Sequence, residues 1–152
     1  GKNFGRLNGV ILDPSHCWLI EIGDNVTCAP GVLILAHDAS MKKSLGYTKI
    51  GRVFIGNNVF LGAGTIVLPG VKIDDNTIVG AGSVVPYSLS GGGVYVGNPA
   101  RKVYGYSEWV EKEKNMMRES PIFDESYKLG NISNQKKDTM KKLLLSKHGY
   151  IV

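Results

Sequence analysis

The feature that most constrains this chain is a period of six. Counting in sixes from Ile55 meets Leu61, Val67, Ile73, Val79 and Val85, a single register of branched aliphatics. Three residues after each of the first five stand Asn58, Gly64, Gly70, Asn76 and Gly82. Asn and Gly tolerate a left-handed backbone, so these positions read as corners. Pro69-Gly70 is the sequence signature of a type II turn. Val59, Thr65, Val71, Thr77 and Ser83 each fall two residues before the next aliphatic, which puts both side chains on one face of a short strand. Each hexapeptide is therefore one strand and one turn. The phase extends upstream through Ile22 with corner Asp24-Asn25, Cys28 with corner Pro30-Gly31, and Ile34. Strands this short bury their apolar edge only by stacking on their neighbours.

The frame breaks once, in a telling place. Counting from Ile34, the corner pair is Ala36-His37, so a histidine stands where the regular corners have Gly or Asn. The expectation is a left-handed corner that projects its imidazole outward. Directly after it, "DASMKKSLGYTK" lapses from the repeat before Ile50-Gly51 and Ile55 restore it. Long excursions from a regular scaffold tend to carry function. The competing reading is a surface histidine beside an incidental insertion.

Length and composition set the outer bounds. A chain of 152 residues with twenty glycines fits one domain made largely of turns. Cys17 and Cys28 form neither a disulfide nor a metal framework, and Cys28 occupies an aliphatic repeat position, as a core thiol would. No apolar run reaches a membrane span and no secretory pattern opens the chain, so a cytoplasmic protein is expected. The opening on Gly1 rather than Met is expected to reflect a trimmed tag or a missing leader coil.

Charge divides the chain. Residues 1–100 carry seven Lys/Arg against six Asp/Glu, and residues 101–152 carry eleven against seven. The change follows "GNPARKVYG", which places a β-domain at 1–104, with the loop 38–49 inserted, and a helical extension at 105–152. "SEWVEKEKNMMRES" reads as an amphipathic helix around Trp109, Val110, Met116 and Met117. "NQKKDTMKKLLLSKHG" reads as a second helix, with Met140, Leu143 and Leu144 on one face and Gly149 closing it. Its lysines are a solvated face or, alternatively, a surface for anionic lipid, giving peripheral membrane contact. Nucleic acid is not expected, since no basic stripe carries interleaved aromatics.

The repeat resembles that of the hexapeptide-repeat acyltransferases, and the detail is similar to galactoside- and maltose-type sugar O-acetyltransferases. "IEIGDNVTCAPGVLILAHD" resembles the stretch ending in their catalytic histidine, "IGNNVFLGAGTIVLPGVKIDDNTIVGAGSVV" the coils that follow, and "VGNPARKV" their closing motif. The match covers most of residues 8–104. It implies an all-β fold, a left-handed parallel β-helix, with a protruding loop and a C-terminal helical extension. It implies His37 as the general base that deprotonates a sugar hydroxyl attacking acetyl-CoA, in surface-polysaccharide biosynthesis. A neutral hydroxyl is a poor nucleophile, and imidazole accepts protons near neutral pH. Backbone N–H groups at a Gly-rich corner suit the oxyanion, with Gly62 and Ala63 as candidates.

The same resemblance implies further site residues. "LNGVILD" maps Asn8 and Asp13 onto acceptor contacts, and Asp13 could also orient His37; a turn-starting aspartate before Pro14 is the alternative. Tyr47, in the loop, is a further acceptor candidate. The cofactor acetyl-CoA would run past Gly62, Ala63, Gly80 and Ala81, with Tyr87 against its adenine and Arg101 and Lys102 on its phosphates. The small residues are also what corners need. Two departures stand out: Pro86-Tyr87-Ser88 replaces a common Thr-Lys-Asp, and "PSHCWL" carries three extra residues. Within that piece His16 is either an acceptor residue or a histidine packed beside Trp18. The resemblance also implies a homotrimer with sites between subunits.

Alternatives remain within and beyond that class. An N-acyltransferase acting on a nucleotide-linked amino sugar would share the scaffold, with an amine needing less base help. A serine acetyltransferase would carry a long N-terminal helical domain. A zinc-binding β-helix of the γ-carbonic-anhydrase kind would need histidines that His16, His37 and His148 do not supply as a close pair, so no metal is expected. A purely structural, non-catalytic β-helix would show rows of exposed Thr.

Overall fold

The computed structural model describes residues 1–152 and resolves into two units, Gly1–Ser107 and Glu108–Val152. In the first, the hexapeptides wind into a three-sided parallel prism. One face stacks Gly5–Arg6, Thr27–Cys28, Phe60–Leu61, Thr77–Val79 and Gly93–Val96. The second stacks Ile11–Leu12, Leu33–Ile34, Ile66–Val67 and Val84–Val85, and the third Ile20–Ile22, Val53–Ile55 and Lys72–Ile73. Pairing is parallel and in phase: Leu12 lies on Ile34, Ile34 on Val67, and Val67 on Val85. The face opened by Gly5–Arg6 ends where Arg101–Gly105 turns back antiparallel on Gly93–Val96.

The six register aliphatics are all fully buried. Each such side chain removed from water contributes about 1.5–3 kcal/mol, so the period is also the core. Val59, Thr65, Val71, Thr77 and Ser83 fill the layer beside them, and the three hydroxyls there donate to main-chain carbonyls: Thr65 and Ser83 to Gly80, Thr77 to Asp74. That satisfies polar groups which burial would otherwise penalise. Cys28 is buried among the aliphatics, as its register position requires.

Two of the three edges repeat. Along one, Asn3, Asn25, Asn58 and Asn76 share a φ of 55° and pass a side-chain amide hydrogen bond from coil to coil at 2.9–3.2 Å. Along the second, Gly9, Gly31, Gly64 and Gly82 take φ from 67° to 74°. The third edge follows the Ile11–Leu12 face and changes at every coil: Asp13-Pro14, then Ala36-His37, then Pro69-Gly70, then Pro86-Tyr87. Here the regular corner is replaced by an excursion. His37–Asp38 pairs antiparallel with Lys49–Ile50, and a single helical turn, Lys42–Leu45, closes the hairpin on Gly46 at φ 77°. His37 is therefore not the left-handed corner expected; it has the extended backbone of a two-residue strand, which the hairpin pairing imposes.

The second unit contains the rest of the helix Tyr106–Arg118, a parallel pair Ile122–Phe123 and Tyr150–Ile151, and the helix Asn134–Leu143. Ser133 caps that last helix by accepting the Lys136 N–H. Gly149 does not close it. The helix stops at Leu143, and Gly149 instead allows close packing, since a Cβ there would lie 2.7 Å from Leu144 and 2.8 Å from the Phe123 ring. No helix is long and apolar enough to cross a membrane.

Candidate active site

At the variable edge the Asp13 carboxylate is fully buried and collects four N–H donors. Ser15 and His16 donate backbone N–H to Oδ1 at 2.9 and 3.1 Å. Ala36 donates its own to Oδ2 at 2.8 Å, and His37 Nδ1 meets Oδ2 at 2.5 Å. Burial alone would raise the Asp13 carboxyl; the His37 ring and the amides of Ala36, Ser15 and His16 outweigh it and hold the group well below the usual carboxylate range. An ionised carboxylate only accepts hydrogen bonds, so Nδ1 is a protonated nitrogen, and in the neutral ring the free lone pair is on Nε2. Asp13 thus sets both the orientation and the tautomer of His37. The His37 side chain, 30% exposed, turns inward at Nδ1 onto Asp13 rather than projecting freely.

His37 stands at the rim of a groove of about 440 Å³ lined by Leu35, His37, Asp38, Lys49, Leu68, Pro69 and Pro86. The lining residues belong to three successive coils of the variable edge, so the groove runs along the stack. Asp38 is held below its usual range chiefly by the Ser40 N–H and hydroxyl.

The extra residues around "PSHCWL" place a second imidazole beside the first. The ring centres of His16 and His37 lie 5.2 Å apart, so these two histidines do form a close pair, contrary to the sequence expectation. The excursion between Asp13 and Ile20 folds back as a 3-10 turn, Cys17–Leu19, which a linear spacing does not reveal. Ligand atoms of Asp13, His16 and His37 lie within 4.8 Å of one another. Both Asp13 oxygens are already committed to N–H donors, so the trio is built as a hydrogen-bonded carboxylate–imidazole pair with a second imidazole alongside it. A cation would have to displace those bonds to reach the carboxylate.

The other anticipated residues separate into groups. Asn8 sits at the glycine edge, where its carbonyl accepts the Gly31 N–H, with the strand Ile11–Leu12 between it and Asp13. Tyr47 is exposed in the hairpin. Gly62 and Gly80 are explained by stacking: a Cβ on Gly62 would lie 2.4 Å from the Ala81 nitrogen, and one on Gly80 2.7 Å from Val96. The Gly62 N–H donates to the Val79 carbonyl at 2.8 Å, so it is not a free oxyanion donor. Ala63 and Ala81 are exposed at the glycine edge, across the Ile66–Val67 face from the His37 edge. Tyr87 and Arg101 do come together, with the guanidinium 5.4 Å from the ring centre. Lys102 is exposed beside Arg101. Asp13 itself was the residue whose partner sequence reading least secured, because 24 positions separate it from His37.

Comparison with known proteins converges on one group. The family model described as bacterial transferase hexapeptide (six repeats) matches residues 52–86. The galactoside O-acetyltransferase of Escherichia coli is 35% identical over 109 residues, covering 68% of this chain and 51% of the relative. The solved maltose O-acetyltransferase from Clostridium difficile 630 is 40% identical, with a TM-score of 0.61 over 68% of this chain and 56% of that one. A variant of the N-acyltransferase AntD from Bacillus cereus, solved with dTDP-4-amino-4,6-dideoxyglucose and coenzyme A, is 29% identical with a TM-score of 0.52 over 63% of this chain and 57% of that one. The chain spans about half the length of the curated relatives it matches. With its stacked hexapeptides forming a left-handed β-helix, the chain belongs to the hexapeptide-repeat acyltransferase family and is related to the galactoside and maltose O-acetyltransferases.

Proposed function

We propose that this chain transfers an acetyl group from acetyl-CoA to a hydroxyl of a sugar, with His37 as general base. The observation that carries the reading is the buried Asp13 carboxylate 2.5 Å from His37 Nδ1, beside a groove that His37 itself lines. His37 Nε2 takes the proton as the sugar oxygen attacks the thioester carbonyl, and the Asp13 carboxylate stabilises the imidazolium that forms. When the tetrahedral intermediate collapses, the thiolate leaves and the same imidazolium returns the proton to it. The relatives' acetyl-transferring and coenzyme-A-bound forms support acetyl-CoA as the donor, and the groove along the stack suits an extended pantetheine arm.

The exposed small residues Ala63 and Ala81 and the His37 edge flank opposite sides of one face. Supplying both to one site takes the edges of two subunits, which supports a homotrimer with three interfacial sites. Tyr87 and Arg101, already in contact, would meet the adenine and a phosphate of the nucleotide end, with Lys102 beside them. The cytoplasm, where acetyl-CoA is made, suits this reading. A lipid-linked acceptor would give the lysines of Asn134–Leu143 a role against anionic lipid.

A thiol-release assay with acetyl-CoA against a panel of sugars tests the proposal. His37→Ala is expected to lose roughly 10²–10⁴-fold in turnover, and turnover within a few-fold of wild type would refute the base assignment. The likeness to AntD favours a second reading, N-acylation of a nucleotide-linked amino sugar. Amino sugars in the same panel decide it, since an amine free of its proton depends far less on His37.

A further inference from the structure

The groove beside His37 is lined by Leu68, Pro69 and Pro86 of the later coils. On the opposite side, contributed by the preceding coil, lie His16 and Trp18. Trp18 is 71% exposed, an unusual position for the largest apolar side chain. Its ring centre is 5.3 Å from that of His16, which in turn is 5.2 Å from that of His37. Three rings thus form a continuous row that ends on the base. The His16 Nδ1 is buried without a hydrogen-bond partner, so this ring is held by its two aromatic neighbours and by the backbone bond from its own N–H to Asp13.

We infer that Trp18, backed by His16, is the platform for the acceptor sugar, and that it selects a pyranose ring with an apolar C–H face. The inference rests on the acyl-transfer reading of His37 and deepens it. An elongated donor occupying the later-coil groove leaves the earlier-coil side as the approach open to the attacking hydroxyl. The electron-rich face of an indole attracts the weakly positive C–H groups of a pyranose. A ring laid on Trp18 reaches toward His37 with its hydroxyl edge. The platform comes from an excursion out of the six-residue frame: ten positions separate Leu12 from Ile22, where Val67 and Ile73 are six apart, and Cys17–Leu19 folds as a 3-10 turn within it.

Trp18 and Trp109 are the only tryptophans, so Trp109→Phe leaves Trp18 as a sole reporter. Fluorescence titration of that variant with methyl β-D-galactopyranoside and methyl β-D-glucopyranoside should show a saturable change with at least one of them. Mannitol, which offers hydroxyls without a ring face, should give none. In steady-state assays on the pyranoside acceptor, Trp18→Ala should raise the acceptor KM about tenfold and leave the acetyl-CoA KM within twofold. Trp18→Phe should recover most of the loss.

No saturable signal with either pyranoside, an equal response to mannitol, or an acceptor KM within twofold in Trp18→Ala would each overturn the platform. A change of oligomeric state in Trp18→Ala with an unaltered acceptor KM would overturn it too, by assigning the indole to contact between copies. Full turnover in His37→Ala would instead refute the base assignment, and no thiol release by the wild-type protein with any sugar or amino sugar would refute the acyl-transfer reading. The fluorescence titration needs no turnover, so the two failures are distinguishable.

Discussion

The asparagine edge and the His37 edge of the prism are built on the same coils and behave in opposite ways. Along the first, four residues adopt one backbone conformation and satisfy one another from coil to coil. Along the second, each coil carries a different solution: a buried carboxylate, a hairpin, a Pro-Gly turn, an exposed Tyr. Repetition spends side-chain hydrogen bonds on stacking. Variation frees one corner to hold groups whose bonds serve chemistry, on a frame that the other two edges keep rigid. Substitutions on the two edges should therefore separate activity from stability.

The largest effects test that separation directly. His37→Ala should lose roughly 10²–10⁴ in kcat/KM while its thermal midpoint stays within about 3 °C, because the ring is partly exposed and fills no core space. Asp13→Asn should lose activity on a similar scale, since an amide in place of the carboxylate no longer fixes the Nδ1–H tautomer. Gly62→Val should do the reverse. Its Cβ would meet main-chain atoms of Gly80 and Ala81 at 2.8 Å or less, and the cost should be about 3 kcal/mol or more in a urea titration. Residual folded protein should keep its per-molecule activity. Gly62 leads into the Gly64 corner of the other repeating edge, so activity lost without stability in Gly62→Val would break the division between the repeating edges and the variable one.

What sequence reveals follows the same line. The repeating edges were legible because a left-handed corner admits few residue types, so Asn58, Gly64, Asn76 and Gly82 mark their own conformations. The register aliphatics were legible because the period is the core. His37 was found through the break in the pattern, yet its conformation was misread. Its strand is two residues long and is fixed by pairing with Lys49–Ile50, which no local propensity encodes. The Asp13–His37 bond joins positions brought together by coil stacking, and the His16–His37 contact depends on how an irregular excursion folds. Gly149 was misplaced for a related reason: its small size serves the packing of Phe123 and Leu144 rather than a helix end.

A second contrast sharpens the first, between the buried ionisable groups of a repeating face and of the variable edge. Burial pushes the Cys28 thiol up to about 11 from an ordinary 9.0, against a smaller lowering by Arg6. The folded state then holds a proton that the unfolded chain releases first, so stability should fall as pH rises from about 9 to 11, by on the order of 2 kcal/mol. Asp13 has the opposite sign. Its folded carboxyl ionises more readily than the unfolded one, so its contribution is present above about pH 4 and is lost as pH falls below that. Urea midpoints across pH, compared with Cys28→Ala and Asp13→Asn, should show each variant flattening only its own limb. A Cys28→Ala protein with an unchanged alkaline limb would remove the thiol from the account.

The smallest effects reach the ladder itself, and a pair of substitutions divides its two contributions. Asn58 has a φ of 55°, accepts from Asn25 at 3.2 Å and donates to Asn76 at 3.1 Å. Asn58→Ala loses both bonds and forces a Cβ-bearing residue without a polar side chain to keep the left-handed backbone, which should cost about 1–2 kcal/mol. Asn58→Gly loses the same bonds but meets no steric penalty at that φ. Solvent replaces exposed amide bonds at little net cost, so this variant should lie within about 0.5 kcal/mol of wild type. Catalysis should be untouched in both, because the ladder runs on a different edge from His37. Equal losses in the two variants would mean that the stacked amides, rather than the backbone conformation, hold the repeating edge in register.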